Sequence, residues 1–257
     1  METVDFLQAF NLQLPQARDG YRFSLDPLLL CAFAEIDRHA RVVDLGTGSG
    51  IIPQLLARAG KGREWVGLEL QAAMAERARR SVNLNGLAGR VEITVGDVRA
   101  LPADWAAGRF DVVVSNPPYR PPTRGRVAPG AERGLARFEL AGDLNDFLRA
   151  AAFLVKNGGK VYLVHLAERL AELLDGMRTY RLEPKRLRLV HSRAGEAAKL
   201  VLVEGRMNRR PGVVVEAPLY LYRAGEGRDY TSEALEMLGM VRAPLSGAGA
   251  PGSGGTA

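Results

Sequence analysis

The sequence predicts an α/β fold: a mostly parallel sheet covered by helices on both faces and carrying an antiparallel edge strand. Three observations predict it. Short apolar runs alternate with helical patterns through the middle of the chain. The first of these runs ends in an acid followed by a glycine-rich turn that opens a helix. The 257 residues, 47% of them apolar, suffice for one large domain with small additions.

Arg41–Asp44 reads as a buried strand, and Ile51–Ala59 as a helix ended by Gly60. Glu64–Leu68 is the second strand, and Gln71–Asn85 an Ala- and Arg-rich helix stopped by Gly86. Val91–Val95 is the third strand, with apolar residues at alternate positions. Phe110–Ser115, the fourth, is apolar through its centre. Leu144–Val155 is helical, Gly158 and Gly159 make a turn, and Lys160–His165 is the fifth strand. After a helix at Glu168–Tyr180 come Leu187–Val190, Leu200–Val203 and Val213–Val215, which are read as the antiparallel edge. Residues 1–40 precede this domain, which runs over 41–243. Residues 244–257 are Gly, Ala, Ser and Pro with almost no charge and are expected to be a disordered tail. Residues 120–137, with three prolines and five arginines, read as a long mobile loop.

Composition narrows the function classes. No apolar run approaches the ~20 residues needed to cross a membrane, and the N-terminus lacks the basic start and apolar run of a signal peptide. The single cysteine, Cys31, excludes an intrachain disulfide, and a cytoplasmic location is expected. His39, His165 and His191 have no ligand-like spacing, so no metal is expected. The formal charge is +6. Residues 178–210 hold ten basic and three acidic side chains, a local excess larger than that of the whole chain. Such a stretch fits a phosphate backbone, with Arg186, Arg188 and Arg209 as expected contacts.

The run Val42-Val43-Asp44-Leu45-Gly46-Thr47-Gly48-Ser49-Gly50-Ile51 places an acid and then three alternate glycines between strand and helix. Glycine there lets the backbone approach a ligand that a Cβ would block. The spacing is G-x-G-x-G, not the G-x-G-x-x-G of dinucleotide sites. Asp44 would also repel a pyrophosphate, whereas it suits a cofactor carrying an ammonium. Glu69 closes the second strand, where a carboxylate accepts from both ribose hydroxyls. Asp97 follows the third, placed to accept from an adenine amino group. All three acids fall at the carboxyl edge of one sheet, where open α/β sheets bind ligands.

Asn116-Pro117-Pro118-Tyr119 directly follows the fourth strand. The two prolines stiffen the backbone and remove two N–H donors, leaving carbonyl acceptors. A ring-conjugated amino nitrogen is a poor nucleophile because its lone pair is delocalised. Accepting its hydrogens on the Asn116 side chain and the Pro117 carbonyl returns density to nitrogen for attack on a methyl donor. Tyr119 offers a ring for stacking on a flat substrate.

Asp44–Gly50, Glu69, Asp97 and Asn116–Tyr119 together resemble the class I methyltransferases of the N-P-P-Y group. The resemblance implies a Rossmann-like seven-stranded sheet, S-adenosylmethionine as cofactor, and methylation of adenine N6, cytosine N4, guanine N2 or glutamine nitrogen. Within the group the chain is similar to the bacterial valine-tRNA adenosine-37 N6-methyltransferases. Tyr21–Asp26 with Leu28–Leu30, Ala136–Glu139 and Asp229–Ala234 carry this further likeness. It implies a tRNA anticodon arm as partner, a monomer or homodimer, and a cofactor-covering role for residues 1–40. It also implies Asp44, Gly46, Thr47, Gly48, Gly50, Glu69, Leu70, Asp97, Val98 and Asn116 as the cofactor set. Asn116, Pro117 and Tyr119 are the implied catalytic residues.

Asp26 also reads as a helix N-cap before Pro27. Cys31, Trp65 and Trp105 read as core. One alternative is a protein-glutamine N5-methyltransferase acting on release factors. Those enzymes carry an extra N-terminal helical domain, for which the residues before Arg41 are too few. An rRNA base amino-methyltransferase is the other alternative within the group. A nicotinamide-dependent oxidoreductase leaves Asn116–Tyr119 unexplained, and a non-catalytic RNA-binding module has no need of the three strand-end acids.

Overall fold

A computed structural model describes residues 2–7, 10–17, 25–119 and 142–239. Tyr21–Ser24, the 120–137 loop with Ala136–Glu139, and the 244–257 tail lie outside the described residues.

A hairpin comes first, β1 (Glu2–Leu7) paired antiparallel with β2 (Leu12–Ala17), followed by α1 (Asp26–Phe33). The sheet then forms from β3 (Arg41–Leu45), β4 (Glu64–Glu69), β5 (Val91–Val95), β6 (Phe110–Ser115), β7 (Val155–Leu166), β8 (Leu182–His191), β9 (Ala198–Met207), β10 (Val214–Val215) and β11 (Leu219–Tyr220). Helices α2 (Ile51–Arg58), α3 (Ala72–Leu84), α4 (Leu144–Leu154) and α5 (Leu170–Thr179) connect strands, and α6 (Ser232–Met237) ends the described chain. The strand order is β10-β8-β9-β7-β6-β3-β4-β5, with β11 also on β8.

The central strands are apolar on both faces because helices cover both. Leu29, Leu30, Ile52, Leu55, Leu56 and Ala78 of α1, α2 and α3 pack over Val42, Val112 and Val164. Phe147, Leu148, Leu154, Leu173 and Met177 of α4 and α5 pack over Val43, Val113 and Val161. Cys31, Trp65 and Trp105 are buried in these cores. Pro27 sits in the first turn of α1, where a missing N–H costs nothing. A reciprocal capping box between Asp143 and Asp146 starts α4. Among the described residues no helix is long and apolar enough to cross a membrane, and no cluster of three potential metal ligands occurs.

Three details depart from the sequence reading. The sheet has nine strands, because β10 and β11 add two short parallel pairings to β8 beyond the expected seven. The reversed strand is β9, and it lies between β7 and β8, not at the edge. Its burial there explains its unbroken apolar run. Gly158 and Gly159 do not separate helix from strand; they lie within β7, where the pairing with β6 shifts between Phe110–Val155 and Val112–Lys160.

The hairpin docks on the flank of α2 and α3. Gln13 N–H donates to Asn85 Oδ1 (2.9 Å), Asn85 Nδ2 donates to the Gln13 carbonyl (2.8 Å) and to Gln54 Oε1 (2.8 Å). From residues 1–40, the Asp26 side chain of α1 reaches the Asn116–Tyr119 segment.

Candidate active site

The glycine-rich turn leaves β3 at the carboxyl edge of the sheet. Gly46, Gly48 and Gly50 have φ of +71°, +58° and +74°, a region that side-chain-bearing residues enter only with strain. Gly46 and Thr47 N–H both donate to the Leu68 carbonyl at 2.9 Å, and Gly48 N–H donates to Glu69 Oε2 at 2.9 Å. The end of β4 therefore fixes the turn. Gly67, which the sequence reading did not single out, makes this possible: a Cβ there would come within 2.7 Å of the Thr47 side chain. Ser115 Oγ donates to the Leu45 carbonyl (2.7 Å), joining the end of β6 to the end of β3. The turn and Asn116 are thus held in one frame.

The three strand-end acids have different environments. Asp44 is wholly buried, and among the described residues neither carboxylate oxygen has a hydrogen-bond partner. Burial pushes its carboxyl up to about 7; the Thr47 hydroxyl nearby lowers it by less, and the Glu69 charge raises it slightly further. Thr47 Oγ1 forms no hydrogen bond among the described residues, so its hold on the carboxylate is weak. Glu69 is also buried, but its oxygens accept from Gly48 N–H and Gln71 N–H, both at 2.9 Å. Burial raises its carboxyl, and the Gln71, Gly48 and Leu70 N–H groups partly offset the rise. Asp97 is bridged by Arg99 through Nη2 at 2.7 Å and Nε at 3.0 Å to each oxygen, which holds its carboxyl below the usual range. Val98 is buried behind it, and Leu70 is half-buried between the ends of β4 and α3.

This set fits the implied cofactor. A buried carboxylate without a partner is costly, and the ammonium of an amino-acid moiety is the counter-charge Asp44 lacks. Glu69 keeps lone pairs beyond those that accept from Gly48 and Gln71. Asp97 already shares its charge with Arg99, so any group it accepts from would share it too.

Asn116 follows β6 directly and is half-buried; among the described residues its side chain has no hydrogen-bond partner. Its side-chain amide is therefore left with hydrogen-bonding capacity to spare. Pro117 is buried and Pro118 half-buried. Tyr119 is anchored at three points. Its hydroxyl donates to Asp26 Oδ2 at 2.6 Å, its carbonyl accepts from Arg169 Nη1 at 2.5 Å, and its ring lies edge-on to His165, centroids 5.3 Å apart. Arg169 is braced in turn by Glu172. Asp26 is therefore no N-cap: Leu25 holds that position, and the Asp26 carboxylate, in the first turn, is turned toward Tyr119.

His165, set aside in the sequence reading, ends β7 beside this motif. It is fully buried, and both ring nitrogens lack partners among the described residues. Burial, with Arg169 adding to it, pushes its imidazole down to about 4, so the ring is neutral at physiological pH. No spacing rule could have found His165 or Arg169, because the strand order alone brings them to Tyr119.

The basic stretch does not act as one surface. Arg186 is enclosed by Glu35, Glu204 and Glu216, donates to the Phe33 carbonyl (2.6 Å), and lies 4.2 Å from the Phe33 ring centroid. Arg188 pairs with Glu233 and donates to the Ala217 carbonyl. Arg193 is held by Glu196 and the Gly227 carbonyl, and Arg206 by Glu204. Two of the three expected phosphate contacts, Arg186 and Arg188, are thus structural.

Residues 36–201 match the family described as a methyltransferase domain. The chain is 32% identical over 197 residues to a tRNA1(Val) (adenine(37)-N6)-methyltransferase of Aeromonas salmonicida, covering 75% of this chain and 80% of that one. It is 29% identical over 209 residues to the enzyme of that name from Porphyromonas gingivalis, covering 79% and 81%. Among solved structures it is similar to a predicted O-methyltransferase from Agrobacterium tumefaciens, with TM-score 0.66, 26% identity, and 83% and 95% coverage. The fold is also that of P. horikoshii TYW2 in complex with MeSAdo, with TM-score 0.55, 14% identity, and 81% and 72% coverage.

Proposed function

The chain belongs to the methyltransferase-domain family and, within it, to the tRNA1(Val) adenine-37 N6-methyltransferases, and from this premise we propose that it methylates N6 of an adenosine beside the anticodon of tRNA, in the cytoplasm. The observation that carries this reading is the Asn116 side chain at the end of β6, unpartnered among the described residues and joined through Ser115 to the glycine-rich turn that opens just after the unpartnered Asp44.

S-adenosylmethionine supplies an electrophilic methyl group. Asp44 is the group in this chain suited to its ammonium, Glu69 to its ribose hydroxyls, and the Asp97–Val98 segment to its adenine. Gly46, Gly48 and Gly50 keep side chains out of the approach, with Thr47 and Leu70 alongside. Asn116 Oδ1 and the Pro117 carbonyl accept the two amino hydrogens of the target base. That draws the nitrogen lone pair out of conjugation and fixes its direction. Tyr119 presents its ring to the base, and the three anchors on it reduce the rotational freedom lost on binding. The neutral His165 behind it adds no charge that would compete for the base.

The same acceptors suit a glutamine amide, so the assay must separate the two. Wild-type protein is offered full valine tRNA, its isolated anticodon stem-loop and a glutamine-containing release-factor peptide, with methyl transfer located by nucleoside and peptide mass analysis. Methyladenosine in RNA is expected. Methylation of the peptide alone would overturn the reading.

A further inference from the structure

The cations of the basic stretch that the fold leaves unpaired, or paired only loosely, gather at one place. Arg178, Arg181 and Arg209 line a shallow groove with Glu183 and Asn208, and Arg210 and Lys185 adjoin it, Lys185 Nζ donating to the Arg210 carbonyl at 3.2 Å. Among the described residues the Arg181, Arg209 and Arg210 guanidinium groups have no ion-pair partner, and Glu183 approaches only Arg178, at 3.9 Å. All four arginines are exposed. The groove is built to shape. Arg181 and Asn208 both take left-handed backbone, with φ of +60° and +54°, and Asn208 N–H donates to the Arg181 carbonyl. Asn208 Nδ2 donates to Asn157 Oδ1. At Gly158 a Cβ would come within 2.5 Å of Arg209 Nη2, so the irregular part of β7 leaves room for that guanidinium.

This groove lies at the start of β8 and the end of β9, the edge of the sheet opposite Asn116. His165 pairs with Val201 of β9, and Asn208 lies seven residue steps beyond Val201. At ~3.3 Å per residue and ~4.8 Å per strand, the groove is roughly 25–30 Å from the end of β6. Unpaired guanidinium groups crowded together repel one another and are stabilised by phosphates, which they contact bidentately.

We propose that this far-edge groove is a second RNA site, holding backbone phosphates of the tRNA body while the target base is at Asn116. The inference rests on the tRNA reading above and adds a length requirement. The span equals about nine to eleven base-pair steps of an A-form RNA stem at ~2.8 Å each. The short stem of an isolated anticodon arm falls short of the groove, and the full tRNA reaches it.

The test compares wild type with R181E/R209E, neither residue belonging to the active site. Binding of full tRNA and of the anticodon stem-loop is measured with S-adenosylhomocysteine present, across a salt series, and methylation of both RNAs at saturation is followed in parallel. For full tRNA the variant is expected to bind at least tenfold more weakly, with the slope of log K against log salt smaller by about 0.7–0.9 per lost contact. Stem-loop affinity and turnover should not change, and an unchanged melting temperature checks folding. Equal weakening for both RNAs, or for neither, overturns the groove while leaving the function intact. A wild type that methylates neither RNA overturns the function itself, whatever the variant binds.

Discussion

Replacing Asp44 by Asn tests the cofactor site through stability, with no turnover needed. In the ligand-free protein the buried carboxyl titrates at about 7, against an ordinary value of 3.8. The native state therefore holds a proton that the unfolded state has already lost between those pH values. Stability falls as pH rises through this window, and the loss is complete above about pH 7. The displacement corresponds to a loss on the order of 4 kcal/mol at the high-pH limit, a large part of the 5–15 kcal/mol that holds a typical domain together. Asn does not titrate. The stability of Asp44→Asn relative to wild type should therefore rise by about 2.5–3 kcal/mol between pH 5 and pH 8, the part of the displacement that lies above pH 5. The unpaired amide sets a constant offset, so the pH slope is the readout. Urea unfolding of both proteins at four pH values measures it. Saturating S-adenosylhomocysteine should then stabilise wild type more than the variant at pH 8, because its ammonium pairs with Asp44 and has no such partner in the variant. A stability difference that stays level from pH 5 to 8, or equal stabilisation of both proteins by the ligand, would refute the assignment.

Asn116→Ala should lower kcat about 10²–10³-fold, the scale for removing one transition-state hydrogen-bond partner, while calorimetry finds cofactor Kd within a few-fold of wild type. Tyr119→Phe and Asp26→Ala each remove the 2.6 Å hydrogen bond between these residues; each should cost about 1–2 kcal/mol of stability, and the double variant should cost little more than either alone. Additive losses in that cycle would show the contact to be idle. Arg186→Ala should destabilise the fold by about 1–3 kcal/mol, since it removes the ion pairs to buried Glu204 and to Glu216 and the bond to the Phe33 carbonyl, while Glu204 keeps Arg206. The same variant should leave the salt dependence of tRNA binding unchanged, and a smaller slope would return Arg186 to the RNA surface.

Much of this protein was legible in the order of its residues. The strands β3 to β6 and their helices follow from apolar period and from glycine stops, which are local signals. Asp44, Glu69 and Asn116 follow from their place at strand ends, and the glycines of the turn from a backbone that only glycine adopts without strain. Sequence could also count the charges between Arg178 and Arg210, but it could not assign them. Whether a cation is spare depends on which carboxylates fold against it, and Arg186 finds Glu35 from 151 residues away. Tyr119 and Asp26 are 93 apart, and His165 reaches the site only because β7 lies beside β6. The strand order also decided that β9 is internal and that the free arginines sit on the edge opposite Asn116. Hydrophobic periodicity is set by each residue's near neighbours, whereas ion pairing and burial are set by whichever strands close on one another, and those partners are fixed only when the sheet is complete.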